Sequence, residues 1–188
     1  MRRWSRGHAF LLVALIFATG APALAELRIN DLDVYLNDHE VTVHLVALGT
    51  VPPTFHESLQ SGLPAHVRFT VELWRYNRMW RDRLLTTYVV ERQLSYNVVS
   101  KEYRVSFLKG ESRGVHTTRD IRDAQRVLSE IRAIKLTPEG ALDPADVIYI
   151  RAYAETAVNG ENTFLSRMAG TAEQAMRQSE FRTIVRVQ

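Results

Sequence analysis

Apolar and polar residues alternate along much of the chain. In the longest run, residues 65–76, apolar side chains hold every second position from Val67 to Leu73. Because successive side chains of a β-strand point to opposite faces, this period predicts a strand with one buried face. The run at 147–155 is apolar on both faces near Tyr149, which predicts a central strand. The same period predicts further strands over residues 40–48, 88–98, 103–107 and 181–187.

The first part of this pattern contains a change of phase. Apolar residues occupy odd positions at 27 and 29 and even positions from 32 to 36. This slip at Asn30 and Asp31 predicts a β-bulge or bend. The Asn-Asp pair at 37–38 has turn chemistry, so we expect residues 27–36 and 40–48 to form an antiparallel hairpin.

A short helix is predicted after this hairpin, over residues 54–60. Thr54 is a candidate N-cap, and Glu57 stands three residues later, as in a capping box. Gly62 and Pro64 then end the helix, because glycine favours the backbone conformation of a helix stop and proline cannot continue the helix.

A longer amphipathic helix is predicted over residues 119–133. Thr117 or Thr118 can cap its first turn, and Asp120 adds negative charge where the helix dipole favours it. We expect its apolar stripe to pack against the sheet. The stripe comprises Ile121, Ala124, Val127, Leu128, Ile131 and Ile134.

These elements predict a mainly β protein. Residues 163–178 are ambiguous, because the helix-forming residues at 172–177 follow an interruption at Gly170. The remaining pattern predicts an antiparallel two-layer β-sandwich of about seven strands, with one clear amphipathic helix and one short helix. Residues 26–188 are expected to form a single domain.

The first 25 residues have the layout of a secretory signal peptide. Arg2, Arg3 and Arg6 precede an apolar stretch at 9–18, and Ala-Leu-Ala at 23–25 offers small residues for cleavage. The apolar stretch is shorter than the roughly 20 residues that span a bilayer. We therefore expect an exported, periplasmic protein that begins at Glu26, with an uncleaved N-terminal anchor as the alternative.

Removal of this segment changes the charge of the protein. The whole chain carries 24 Lys and Arg against 21 Asp and Glu, and residues 1–25 contain three Arg and no acidic residue. The mature chain is therefore neutral, and we expect no nucleic-acid partner. Since the chain contains no cysteine, it has no disulfide, lipid-anchor cysteine or thiolate metal site.

Several short strings, in this order, resemble one known family. The strings are ESLQSGLP at 57–64, FTVEL at 69–73, WRD at 80–82 and YRV at 103–105. With the N-terminal signal and the first hairpin, they are similar to a family of exported bacterial proteins catalogued as domain of unknown function number 4390. The resemblance implies no activity or catalytic residues. It implies an envelope role, since members are often encoded near a membrane sensor kinase.

Catalytic and metal-binding motifs are few. The chain contains no nucleophile elbow, zinc-protease helix, phosphate-binding loop or dinucleotide fingerprint. Asp31, Asp33 and Asp38 resemble half of a calcium loop but lack its glycine and distal glutamate, so turn formation is the better interpretation. No metal or cofactor is expected. The histidines expected in the mature chain are scattered at His39, His44, His56, His66 and His116, of which His44 and His66 could lie on neighbouring strands.

A serine–histidine pair is a further candidate for chemistry. Ser58 and Ser61 flank the end of the short helix, near His56. A nucleophile needs such a base within hydrogen-bonding reach. Serine at a helix end more often satisfies backbone groups, so we expect a structural role and no catalytic residues.

The second face of the strand at 65–76 is the best candidate binding surface. Large aromatic side chains flanked by arginines suit a partner protein, sugar rings or a membrane interface. Burial of this face as a second core layer is the alternative. The candidate residues are Arg68, Trp74, Tyr76, Arg78 and Trp80.

Three functions remain open. The preferred one is a non-catalytic, exported protein-interaction or accessory module of the cell envelope. Its partner is expected to be an envelope protein, and membrane contact is expected only through an uncleaved signal or through that partner. The alternatives are a small-ligand or glycan binder that stacks sugars on Trp74, Tyr76 and Trp80, and a hydrolase of unrecognised type.

Overall fold

A computed structural model describes residues 26–37, 40–137, 142–143, 145–158, 173–180 and 182–183. The signal-like segment at 1–25, the Asp38 turn position and most of the strand predicted at 181–187 lie outside the described residues. The described helices are α1 (His56–Gln60), after a 3₁₀ turn at Pro53–Phe55, and α2 (Ile121–Ser129). The described strands are β1 (Arg28–Asn37), β2 (Glu40–Leu48), β3 (Ala65–Arg75), β4 (Arg83–Asn97), β5 (Glu102–Lys109), β6 (His116–Thr118), β7 (Glu130–Leu136), β8 (Val147–Val158), β9 (Glu173–Gln178) and β10 (Arg182–Thr183).

The strands form two antiparallel sheets. The smaller sheet has the order β1-β2-β7. The larger sheet has the order β10-β8-β3-β4-β5-β6, and β9 also pairs with β8. The predicted mainly β, antiparallel architecture with two helices is confirmed, and β8 is central, as expected. The described residues contain ten strands rather than about seven, because β6, β7 and β9 were not predicted as strands.

The facing sides of the two sheets share one hydrophobic core. On β2 the residues from Val41 to Ala47 alternate between buried and half-buried, and β3 does the same from Ala65 to Leu73. Buried residues of both sheets belong to a single cluster, which α1 joins through Leu59. Burial of each large apolar side chain contributes roughly 1.5–3 kcal/mol, so the alternation seen in the sequence drives the pairing of the layers.

The bulge predicted in β1 is confirmed. Ile29 pairs with Ala47 and Asp31 pairs with Val46, so that Asn30 is the extra residue on β1. The insertion keeps Ile29 and the later Val34 in the core although their positions differ in parity.

The end of α1 follows the prediction, but its start does not. The N–H of Leu63 donates to the carbonyl of Ser58 at 2.9 Å and that of Gly62 to the carbonyl of Leu59 at 3.0 Å. With Gly62 at a φ of 92°, this is a Schellman stop. At the start, the N-cap position is Phe55 and no side-chain hydrogen bond caps it, so the prediction of Thr54 as the N-cap is wrong.

The longer helix is shorter than predicted. It ends at Ser129, and the residues that follow form β7. The N-cap is Asp120, whose side chain accepts the N–H of Arg122 at 2.9 Å, whereas Thr117 and Thr118 belong to β6. The prediction of a threonine cap and of a helix to residue 133 is therefore wrong.

A bulge in β7 explains this error. Ile131 pairs with Leu45 and Ile134 with Val43, so two residues of β7 lie opposite one residue of β2. Ala133, within this bulge, has a φ of 55°. Because of the bulge, two core residues on the same strand face are three positions apart, which is a helical spacing.

Strand β4 departs from its predicted pattern at two positions. Val98, the last residue of the strand predicted over 88–98, lies beyond the end of β4 and is exposed. Arg92 shares the inward phase of Val90 and Leu94 and is fully buried. Its guanidinium group reaches the C-terminal end of α2 and the carboxylate of Glu111, which joins the helix to the large sheet.

Candidate binding surface

The large sheet has an inner face that packs against the core and an outer face. Both helices lie on the inner side, since Leu59 of α1 and Leu128 of α2 are core residues. The even-numbered residues of β3 from His66 to Trp74 point outward and are half-buried, whereas the odd-numbered residues are buried. This contrast indicates that the outer side of β3 is partly accessible to solvent. On the neighbouring β8 the same face also carries buried residues, namely Tyr149, Glu155 and Ala157.

Trp74 takes part in a stack of side chains on this outer face. Its ring lies 6.4 Å from that of Tyr149 on β8, with an angle of 10° between the planes. The guanidinium carbon of Arg151 lies 4.7 Å from the centre of the Trp74 ring and 5.2 Å from that of Tyr149. The indole N–H donates to Glu72 at 2.8 Å. Since Tyr149 and Arg151 contact the Trp74 ring, the ring is poorly placed to stack against a sugar.

The stack continues into the loop between β3 and β4. The hydroxyl of the buried Tyr149 donates to Asp82 at 2.7 Å, and the other carboxylate oxygen of Asp82 accepts the N–H of Asn77 at 3.0 Å. Burial and the Asp82 contact together raise the pKa of Tyr149 to about 12. The Tyr149 hydrogen bond, followed by that of Asn77, lowers the pKa of Asp82. Both groups therefore keep these protonation states at neutral pH, and the base of the loop is fixed.

The tip of this loop projects two large apolar side chains. Met79 is 89% exposed and Trp80 is 80% exposed. Arg78 and Arg81 flank them in the chain and are also exposed. The loop is ordered locally, because the side-chain oxygen of Asn77 accepts the N–H of Met79 at 3.0 Å.

The five predicted surface residues therefore divide into three places. Trp74 and Tyr76 lie at the end of the outer face, while Arg78 and Trp80 lie on the loop. Arg68 is six residues before Trp74, about 20 Å away at roughly 3.3 Å per residue. Its guanidinium group lies 3.6 Å from Glu91 on the neighbouring strand.

Residues from other strands share the outer face with Trp74, from its own level to that of Thr70, which pairs with Tyr153. Leu84 of β4 and Tyr149 of β8 pair with Trp74, Arg151 of β8 pairs with Glu72, and Met176 of β9 pairs with Tyr153 of β8. Side chains at paired positions lie on the same face of a sheet. The N–H of Tyr76 bonds to the carbonyl of Val147 at 2.8 Å, so Tyr76 keeps the phase of Trp74. We call this group the outer aromatic face: Trp74, Tyr76, Leu84, Arg151, Tyr153 and Met176.

Only some residues of the outer aromatic face could be recognised from the sequence. The alternation in β8 separates Tyr149, Arg151 and Tyr153 from the apolar residues between them. It does not reveal which strand pairs with β3. Met176 was hidden because the helix-forming residues around it are drawn into a strand by pairing with β8.

Of the candidate serine–histidine group, Ser61 makes a local contact at the end of α1. The hydroxyl of Ser61 donates to the carbonyl of Ser58 at 2.7 Å, next to the Schellman stop of α1. This is a second hydrogen bond to a helix-end carbonyl that also accepts the N–H of Leu63. His56 is exposed at the first position of the helix.

The histidines do not converge in the described part of the chain. His44 lies on β2 and His66 on β3, which belong to different sheets, so the expectation that they are neighbours is wrong. His116 contacts Asp123 at 2.8 Å, and His39 lies outside the described residues. Within the described residues, no three potential metal ligands come together. Asp31 accepts a hydrogen bond from its neighbour Asn30, and Asp33 lies on β1.

Comparison with known proteins identifies the family. The profile described as Domain of unknown function (DUF4390) matches residues 25–172, which is most of the chain. The chain belongs to the DUF4390 family. The match covers all of β1 to β8, while β9 and β10 follow it. No curated protein and no solved structure matches this DUF4390 chain. Among its described residues there is no helix with the length and apolar character needed to cross a bilayer.

Proposed function

We propose that this DUF4390 protein is an exported, non-catalytic module of the cell envelope that binds another protein through its outer aromatic face. The export part rests on the signal-like pattern of residues 1–25. The binding part rests on the side chains of the outer aromatic face, which extend from Trp74 and Tyr76 to Tyr153 and Met176 at the level of Thr70.

The observation that supports binding is the combination of residue types and exposure on this face. Leu84 is 43% exposed and Met176 is 59% exposed, and they lie on strands to either side of Trp74. Tryptophan, tyrosine, methionine and arginine are enriched at protein interfaces. The stack of Trp74 on Tyr149 and Arg151 holds part of the face in one arrangement, which lowers the entropy cost of binding.

The alternatives receive less support from the same geometry. A sugar-stacking platform of Trp74, Tyr76 and Trp80 requires three open rings, and only the last two are exposed. The ring of Trp74 is in contact with Tyr149 and Arg151. A hydrolase built on Ser61 requires a free hydroxyl, and this hydroxyl bonds to the Ser58 carbonyl. A protein partner needs neither feature.

Photo-crosslinking tests the binding proposal. Benzoylphenylalanine placed at Leu84 is expected to capture one discrete protein in the cell envelope. Val99 provides a matched control, because it is 89% exposed and follows the opposite end of the 15-residue strand β4. Leu84 and Asn97, the last residue of β4, are about 43 Å apart at roughly 3.3 Å per residue. The same products from both positions, or none from position 84, would contradict the proposal.

Intact-mass analysis tests the export proposal separately. The protein recovered from the periplasmic fraction is expected to begin at Glu26, since Ala23 and Ala25 supply the small residues that precede a cleavage site. A cytoplasmic preparation of the full chain gives the reference mass. Recovery of residues 1–25 on the envelope-associated protein would instead support the anchor alternative.

A further inference from the structure

The loop between β3 and β4 carries a feature that the outer aromatic face does not explain. Met79 and Trp80 are adjacent in the chain and have almost no protein neighbours, with exposures of 89% and 80%. Two large apolar side chains at a loop tip leave apolar area in contact with water. Such an exposed pair often marks an interaction site.

The charge of this loop is strongly positive. Residues 75–83 contain four arginines and a single acidic residue, Asp82. Arg75 pairs with Asp146 at 2.8 Å, and both carboxylate oxygens of Asp82 accept hydrogen bonds from Tyr149 and Asn77. The remaining arginines, Arg78, Arg81 and Arg83, are exposed. Among the described residues, no carboxylate lies within 4.0 Å of these three side chains.

The loop is also held at its base. Asp82 bridges Tyr149 of β8 and the backbone of Asn77, and Asn77 in turn binds the backbone of Met79. The apolar pair is therefore presented at the far end of a supported hairpin. A protruding tip of this kind can insert into a deformable surface, and its binding does not require a preformed pocket.

We propose that this tip docks on an anionic membrane surface, with Trp80 and Met79 in the headgroup region and Arg78, Arg81 and Arg83 on lipid phosphates. Tryptophan is enriched at the membrane–water interface, where its ring is partly in the apolar region and its N–H reaches water. Guanidinium groups form charge-assisted hydrogen bonds with phosphate oxygens. The apolar pair suits the apolar boundary of the headgroup region, and the surrounding positive charge suits the lipid phosphates of an anionic bilayer.

This contact goes beyond the proposed function. The sequence predicts membrane contact only through an uncleaved signal or a partner, whereas the exposed Met79 and Trp80 offer a direct contact. The loop follows Tyr76 directly, so docking of the tip places the outer aromatic face close to the membrane. A membrane-bound partner would then bind the outer aromatic face at a fixed distance from the membrane surface.

Vesicle co-sedimentation of the purified exported protein tests the proposal. Vesicles of phosphatidylcholine with three-tenths phosphatidylglycerol are compared with pure phosphatidylcholine at low salt. Because each basic residue near an anionic surface contributes roughly a fivefold gain, Arg78→Gln/Arg81→Gln should weaken partition about thirtyfold. Trp80→Ala should weaken it as well, and 0.5 M salt should screen the binding.

Matched variants separate the tip from general surface effects. Arg104→Gln/Arg122→Gln removes the same charge from two exposed positions elsewhere, and Val99→Ala removes an exposed apolar group. Both should partition like the unmodified protein. Equal sedimentation with both vesicle types, or equal losses for the tip and control pairs, would overturn the proposal.

A second readout separates this inference from the proposed function. Trp80→Ala should reduce vesicle partition in purified form but leave the position-84 crosslink intact in detergent extracts. If Trp80→Ala instead abolishes the crosslink and leaves vesicle partition unchanged, the tip belongs to the protein interface and the membrane inference is wrong. If vesicles bind and no crosslink forms, only the proposed function fails.

Discussion

Replacement of Arg92 by methionine is expected to lower the free energy of unfolding by about 3–5 kcal/mol, as removal of one member of a buried ion pair does. The Arg92 side chain is fully buried, and Glu111, its partner, is mostly buried. The variant would leave the Glu111 carboxylate with only its longer contact to the exposed Arg113, at 3.7 Å. Methionine can fill the space of the arginine side chain but supplies no hydrogen bonds.

The geometry at Arg92 explains the size of this effect. Two of its nitrogens donate to the Glu111 carboxylate, at 2.6 and 2.8 Å. A third donates to the carbonyls of Val127 and Glu130, at 2.6 and 2.8 Å, and more distantly to that of Leu128. These carbonyls carry the partial negative charge of the C-terminal end of α2. A single guanidinium group thus satisfies a carboxylate and a helix end, which the single nitrogen of lysine cannot do.

Urea unfolding of a small set of variants measures this contribution. Arg92→Lys should lose most of the stability lost by Arg92→Met, because it lacks the two-pronged contact. The double variant Arg92→Met/Glu111→Leu should recover part of it, since no buried charge remains. Arg104→Met, on the exposed side of the adjacent β5, is the control and should stay within about 0.5 kcal/mol of the unmodified protein. A loss below about 1 kcal/mol for Arg92→Met would contradict this account.

Replacement of Trp74 by alanine is expected to cost about 2–3 kcal/mol, less than for a fully buried tryptophan and more than for an exposed residue. The ring is half-buried, stacks on Tyr149 and lies beneath Arg151. Its removal also leaves Glu72 without the indole N–H. The loss of Trp74 contacts should loosen the stack that supports Asp82 and the loop.

Thermal and urea melts of two variants test this expectation. Trp74→Phe keeps a ring in the stack but loses the bond to Glu72, so it should retain more stability than Trp74→Ala. A loss under about 1 kcal/mol for Trp74→Ala would show that the stack contributes little, because exposed positions usually fall in this range. A loss above about 4 kcal/mol would instead indicate a core residue and argue against a binding role for this face.

Local patterns were sufficient to predict much of the fold. The alternation in β2 and β3 is regular because one side of each strand is buried and the other is not. The phase change at Asn30 correctly indicated a bulge, since both flanking sets were clearly apolar. In β7 the bulge lies between only two isoleucines, directly after α2. The resulting three-residue spacing of these isoleucines therefore resembles a continuation of the helical period.

Contacts between distant segments could not be predicted in this way. Arg92 occupies an inward position of β4, but a charged residue is not expected to be buried. The partners that allow its burial lie 19 to 38 residues further along the chain. For the candidate surface, the phase of Trp74 and Tyr76 was visible in β3. Their neighbours Arg151 and Met176 join them only through the pairing of β8 with β3 and β9, which local sequence does not encode.

The affinity of the protein captured from position 84 tests the central claim most directly. Titration calorimetry with that purified partner compares the unmodified protein with Leu84→Asp and Val99→Asp, which place the same charge at the two ends of β4. A protein interface on the outer aromatic face predicts at least about a tenfold loss of affinity for Leu84→Asp, because an unpaired charge would be buried there. It predicts no change for Val99→Asp. Equal affinities for the two variants would contradict the claim that this face binds a protein.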